Sequence, residues 1–126
     1  MPIEPEGRTI STRMYGLSHC DTVKKARAFL SERGVRFDFI DYKKQGVPPG
    51  PLAAWMAALG WEVLLNRKGT TWRQLDEALR ASVTDTASAK RLMLDQPSVI
   101  KRPVMEWADG QTTVGFDAAQ WSGRVY

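Results

Sequence analysis

The stretch from residue 9 to residue 39 constrains the fold more than any other part of the chain. Residues 9–17 (TISTRMYGL) alternate β-branched, apolar and polar side chains and run into a glycine-containing turn, the pattern of a strand. The segment VKKARAFLSER then puts Val23, Ala26 and Leu30 on one helical face and Lys24, Lys25 and Arg27 on the other, with Gly34 closing it. Asp21 or Thr22 can cap its first turn. Val35, Phe37 and Phe39 alternate with Arg36 and Asp38, so a second strand follows. Two strands joined by a helix-length crossover make a parallel βαβ unit. Cys20 falls at its strand–helix junction.

Beyond residue 45 the alternation stops. QGVPPGP disfavours continuing a strand, and Leu52, Trp55, Met56 and Leu59 then recur at helical spacing before Gly60. Thr71 and Gln74 have capping-box spacing, and Thr84 or Asp85 can cap a further helix reaching Leu94. After Pro97 the extended pattern returns. Val104 to Trp107, the turn pair Asp109 and Gly110, and Thr112, Val114 and Phe116 in period two read as a hairpin, with a short helix from Asp117 to Trp121 behind it. The expected fold is therefore α/β, a mixed sheet in βαβ…ββα order with a helical insertion at about residues 50–95. Residues 1–8, with Pro2, Pro5 and Gly7, read as a flexible N-terminal tail, and residues 9–126 as one domain.

Composition narrows the function classes. At 126 residues, 43% hydrophobic and 25% charged, the chain can bury a core without staples. One cysteine forms no internal disulfide, and one cysteine with one histidine cannot fill a tetrahedral zinc site, so no metal is expected. The N-terminal residues lack the apolar run of a signal peptide, and no later run is long enough to span a bilayer, so a cytoplasmic protein with no membrane partner is expected. A monomer is the expected state. A net charge of +4 suits an anionic ligand. The basic pairs are short and no nucleic-acid motif is present, so no direct nucleic-acid partner is expected.

Residue chemistry leaves two readings of Cys20 open. Free amides and the dipole at a helix N-terminus, with Lys24 one turn in, would lower its pKa and make a nucleophilic thiolate. A free cysteine can equally be a small, inert core residue. His19 is adjacent, but neighbours in extended chain point to opposite faces, so its position implies no direct base contact. Arg102, ahead of the hairpin, could reach an oxyanion at the helix start, or form a solvated basic pair with Lys101. Its bond to Pro103 could be cis against the trans default.

Four blocks, YGLSHCDTVKKARAFL, LGWEVLLNRKGTTWRQLDE, ASAKRLM and PSVIKRPV, together resemble the arsenate reductase-like (ArsC/Spx) family, nearest to its YffB branch. The resemblance spans about residues 12–118. It implies a thioredoxin-like fold with a helical insertion, a nucleophilic cysteine at Cys20, an arginine at Arg102 and a cis proline at Pro103. True arsenate reductases of this type carry two further anion-binding arginines. The first aligns at or beside Asn66, with Arg67 and Lys68 as nearby substitutes, and the second falls at about Gly115. Spx-type regulators, which bind RNA polymerase, often carry a C-x-x-C switch whose second position is Val23 here. With the resemblance, the expected activity is that of an oxidoreductase, a thiol reductase with Cys20 and Arg102 as catalytic residues; the single cysteine leaves no internal resolving thiol, so an external one, glutathione, is expected to complete the cycle. Lys24, Arg67, Lys68, Pro103 and His19 would contact the anionic substrate. No cofactor is bound in this reading. Glutathione is the co-substrate, with glutaredoxin a further partner. Arsenate reduction and RNA polymerase binding stand as the alternatives.

Overall fold

The structure is a computed structural model that describes residues 11–124; the expected tail at residues 1–8 lies outside that range. Two compact units form, one up to Asp41 and again from Arg102, the other Tyr42–Lys101.

The first unit is built on β1 (Thr12–Gly16), α1 (Asp21–Glu32) and β2 (Phe37–Asp41), with β1 and β2 parallel and in register from Thr12 opposite Phe37 to Gly16 opposite Asp41. The chain returns through β3 (Val104–Glu106) and β4 (Thr112–Val114), an antiparallel hairpin whose β3 pairs antiparallel with β1. The sheet order is β2-β1-β3-β4. The expected α/β, thioredoxin-like βαβ…ββα arrangement is what forms.

Periodicity explains the core. Val23, Ala26 and Leu30 of α1 are fully buried with Phe29 beside them, and they pack with Met14 of β1, Met105 of β3, Trp107 and Trp121. Of the basic face, Lys24 and Lys25 are exposed, whereas Arg27 stacks over the Phe39 ring at 4.2 Å. Gly110 turns the hairpin at φ 89°, with the Gln111 amide donating to the Asp109 carboxylate. The last helix, α8 (Ala118–Ser122), is capped by Asp117, whose carboxylate accepts from the Gln120 amide at 3.1 Å.

Helix α1 lies so close to β1 that a Cβ on Gly16 would stand 2.8 Å from Cγ2 of Val23, a fully buried side chain. Gly16→Ala therefore overpacks the junction just ahead of Cys20. It should destabilise the fold by about 1–3 kcal/mol in a denaturant melt, and Val23→Ala in the same chain should recover part of the loss.

In the second unit, the segment expected to be helical over 50–95 occupies Tyr42–Lys101. It contains α2 (Tyr42–Gln45), α3 (Pro49–Leu59), α4 (Trp61–Leu64), α5 (Thr70–Gln74), α6 (Glu77–Ala81), α7 (Thr86–Asp95) and a 3-10 turn, Pro97–Val99. Helix α3 buries Leu52, Trp55 and Met56 as its spacing predicts. Asp85 caps α7 in a reciprocal box with Ser88. The cap expected from Thr71 and Gln74 does not form: α5 starts at Thr70 with Gly69 as its N-cap, two residues before Thr71, and has no side-chain cap. A bridge between Leu65 and Ile100 ties the middle of the unit to its last residues, reinforced by the Asn66 amide on the Val99 carbonyl and the Lys101 amide on the Leu64 carbonyl, both at 2.8 Å.

Candidate active site

The turn between β1 and α1 presents the thiol. The Cys20 amide donates to the Leu17 carbonyl at 3.1 Å, closing residues 17–20, and the Ser18 amide donates to the Asp41 carboxylate at 3.2 Å. Ser18 and His19 are exposed while Cys20 is half-buried.

Helix α1 begins one to two residues earlier than the capping residues predict. Cys20 itself is the N-cap, with extended backbone at φ −75° and ψ 127°, and its carbonyl accepts the Lys24 amide at 2.9 Å. No capping side chain bonds the free amides of the first turn. They act on sulfur instead. Partial burial opposes a charge on Cys20, but the Val23 amide, the Arg102 side chain and the Thr22 amide together outweigh it, and the thiol lies below the ordinary cysteine range. The sign follows directly: a lowered pKa means more thiolate at neutral pH, hence a better-populated nucleophile.

Arg102 stands immediately ahead of β3, which pairs with β1, so the sheet itself brings the guanidinium to the thiol. The Arg102-Pro103 bond is cis. Among the expected site residues of this unit, Cys20 and Arg102 are therefore together. Lys24 enters through its backbone amide and its side chain is exposed; the side-chain cation acting on the thiol is Arg102. His19 is adjacent in sequence and exposed.

Arg67 and Lys68 belong to the helical unit. There, with Lys101 and Glu62, they line a shallow pocket of about 250 Å³, and the Arg67 guanidinium stands 5.4 Å from the Trp61 ring centroid. Asn66, at or beside which the resemblance aligns the first clamp arginine, folds its side-chain oxygen onto the Lys68 amide at 3.2 Å. Gly115, about where the resemblance aligns the second, has φ 86° and its amide donates to the Pro103 carbonyl at 2.9 Å. The left-handed backbone there disfavours any side chain. Gly115→Arg should accordingly lower stability by about 1–2 kcal/mol in chemical unfolding. Restoring the charge at this position thus carries a backbone cost.

Asp41 was not legible as a site residue: it is 23 residues from Ser18 in sequence, and only the parallel register brings its strand end beside the thiol turn. Among the described residues, no group of three or more His, Cys, Asp or Glu could hold a metal ion, and no helix is long and apolar enough to cross a membrane.

Comparison with known proteins agrees with this geometry. A solved structure of a YFFB (PA3664) protein is 46% identical, covers 92% of this chain and 100% of its own, and superposes with a TM-score of 0.85. An arsenate reductase (ArsC) related protein from Brucella melitensis is also 46% identical, with 95% and 97% coverage and a TM-score of 0.71. An uncharacterized protein of Haemophilus influenzae is 35% identical over 108 residues, 86% of this chain and 93% of that one. The model of the ArsC family matches residues 15–123, nearly the whole described chain including the thiol turn, α1 and the hairpin. The chain belongs to the ArsC family.

Proposed function

We propose that the protein is a thiol reductase that uses Cys20 as its nucleophile and glutathione as the external thiol. The observation that carries this reading is the N-cap position of Cys20, where helix amides and Arg102 favour the thiolate. The thiolate attacks one sulfur of a substrate disulfide. A Cys20–substrate disulfide forms, the original S–S bond breaks, and the departing thiolate takes a proton from solvent. The sequence contains no second cysteine to resolve that intermediate, so an external thiol must attack it. Two glutathione molecules are oxidised to one glutathione disulfide for each substrate disulfide reduced to two thiols, and Cys20 returns as thiolate. Arg102 stabilises the sulfur anion in both half-reactions.

Arsenate is the weaker substrate in this reading. A side chain folded onto backbone at Asn66 and a positive-φ glycine at 115 leave two clamp positions without guanidinium groups.

A coupled assay tests the proposal. A mixed disulfide of glutathione with a small thiol is supplied with reduced glutathione, and the glutathione disulfide formed is followed through glutathione reductase and NADPH. The wild type should turn over above the uncatalysed rate, Cys20→Ser should fall to background, and arsenate in place of the disulfide should give a much lower rate than the disulfide. Activity surviving in Cys20→Ser would defeat the proposal.

A further inference from the structure

We propose that Asp41 is a positioning residue for Cys20: by accepting the Ser18 amide it anchors the turn of residues 17–20 and so fixes where the thiol stands relative to the α1 amides and Arg102. The inference rests on the nucleophilic reading of Cys20 given above.

Three observations carry it. Asp41 ends β2 opposite Gly16, so its carboxylate reaches the chain just after β1 stops. One carboxylate oxygen accepts the Ser18 amide at 3.2 Å, and two residues later the Cys20 amide closes the same turn on Leu17. Ser18 and His19 are exposed, so packing cannot hold the middle of this turn. The side-chain bond from the neighbouring strand supplies that hold, as an Asx side chain commonly does for a free amide. A loosened turn would let the N-cap leave its place, and the amides of Thr22 and Val23 would lose their aim at sulfur.

Charge and hydrogen bonding at Asp41 can be separated, which makes the role testable. The charges acting on the Cys20 sulfur come from Arg102 and not from Asp41, so deleting the Asp41 charge alone should leave the thiolate unchanged; deleting the anchor should decrease it. The charged side chain that acts on the thiol is Arg102, and the titratable neighbours in sequence, His19, Asp21 and Lys24, are exposed; all stay unchanged in the comparison.

The experiment is the rate of iodoacetamide alkylation of Cys20 against pH in Asp41→Ala, Asp41→Glu and Asp41→Asn, each checked for folding by circular dichroism. Ala removes the acceptor and Glu displaces it by one methylene, so both should alkylate roughly three- to tenfold more slowly at neutral pH, with the midpoint moved up. Asn keeps a side-chain oxygen in place and should match the wild type. If Ala fails to fold, Glu against Asn decides by the same criterion. Wild-type rates in Ala and Glu, or an Asn variant as slow as Glu, would overturn the assignment. Because alkylation needs no glutathione, failure of the proposed turnover would show separately.

Discussion

Trp121→Ala should cost the fold about 3–5 kcal/mol, the largest stability loss expected from a single substitution in the first unit. Trp121 is 2% exposed and meets three other aromatic rings edge-on, Phe116 at 4.8 Å, Trp107 at 4.9 Å and Phe29 at 6.0 Å between centroids. Such perpendicular contacts add to the area buried. The helix that carries it has five residues, too few to persist without its tertiary contacts. Alanine at 121 therefore empties the aromatic cluster and releases α8 together. The loss also reaches α1, since Phe29 lies on the buried face of the helix that Cys20 caps. Urea unfolding followed by tryptophan fluorescence and circular dichroism measures it. Trp121→Phe keeps a ring in place and should lose much less. A loss under about 1 kcal/mol for Trp121→Ala would mean that the cluster does not hold the unit together.

Arg102→Gln should produce the largest chemical effect short of removing the thiol. The guanidinium favours the charged form of Cys20 both by hydrogen bonding and through its charge. Without it, burial is opposed only by the helix amides, so the alkylation midpoint must rise and the thiolate fraction at neutral pH must fall. Intrinsic nucleophilicity rises with pKa and offsets just under half of that fall, so each unit of upward movement slows attack by about three- to fourfold rather than tenfold. The lost charge-assisted bond to the departing thiolate acts in the same direction, and the combined effect on disulfide attack at neutral pH should be on the order of tenfold or more. Arg102→Lys retains a charge without the planar fork, and should fall between wild type and Arg102→Gln. An unchanged pH profile in Arg102→Gln would remove Arg102 from the site.

How much of this was visible in the sequence depends on the range of the interaction involved. The βαβ unit and the hairpin follow from period-two and helical spacing within single segments, and they form where Thr12, Val23, Phe37 and Val104 place them. Asp85 caps α7 because Ser88 stands at the reciprocal position three residues on. The start of α1 differs from the capping pattern for a physical reason: Asp21 and Thr22 have high capping propensity and cysteine does not, yet the turn closed on Leu17 makes Cys20 the last extended residue. That difference of one or two residues puts the sulfur on the helix amides. The short helices α4, α5 and α6 run four or five residues each, too brief to show a periodicity. Asp41 and the Trp121 cluster depend on strands and helices distant in sequence, and no local pattern announces them.

The reading of Cys20 as a nucleophile that must borrow its resolving thiol is tested most directly by intact mass. Reduced protein is incubated with glutathione disulfide between about pH 6 and 8, the range in which a lowered thiol pKa matters. One glutathionyl group per chain is expected, removable by excess reduced glutathione and absent from Cys20→Ser. Unmodified protein throughout that range, with Cys20 still open to iodoacetamide, would contradict the account.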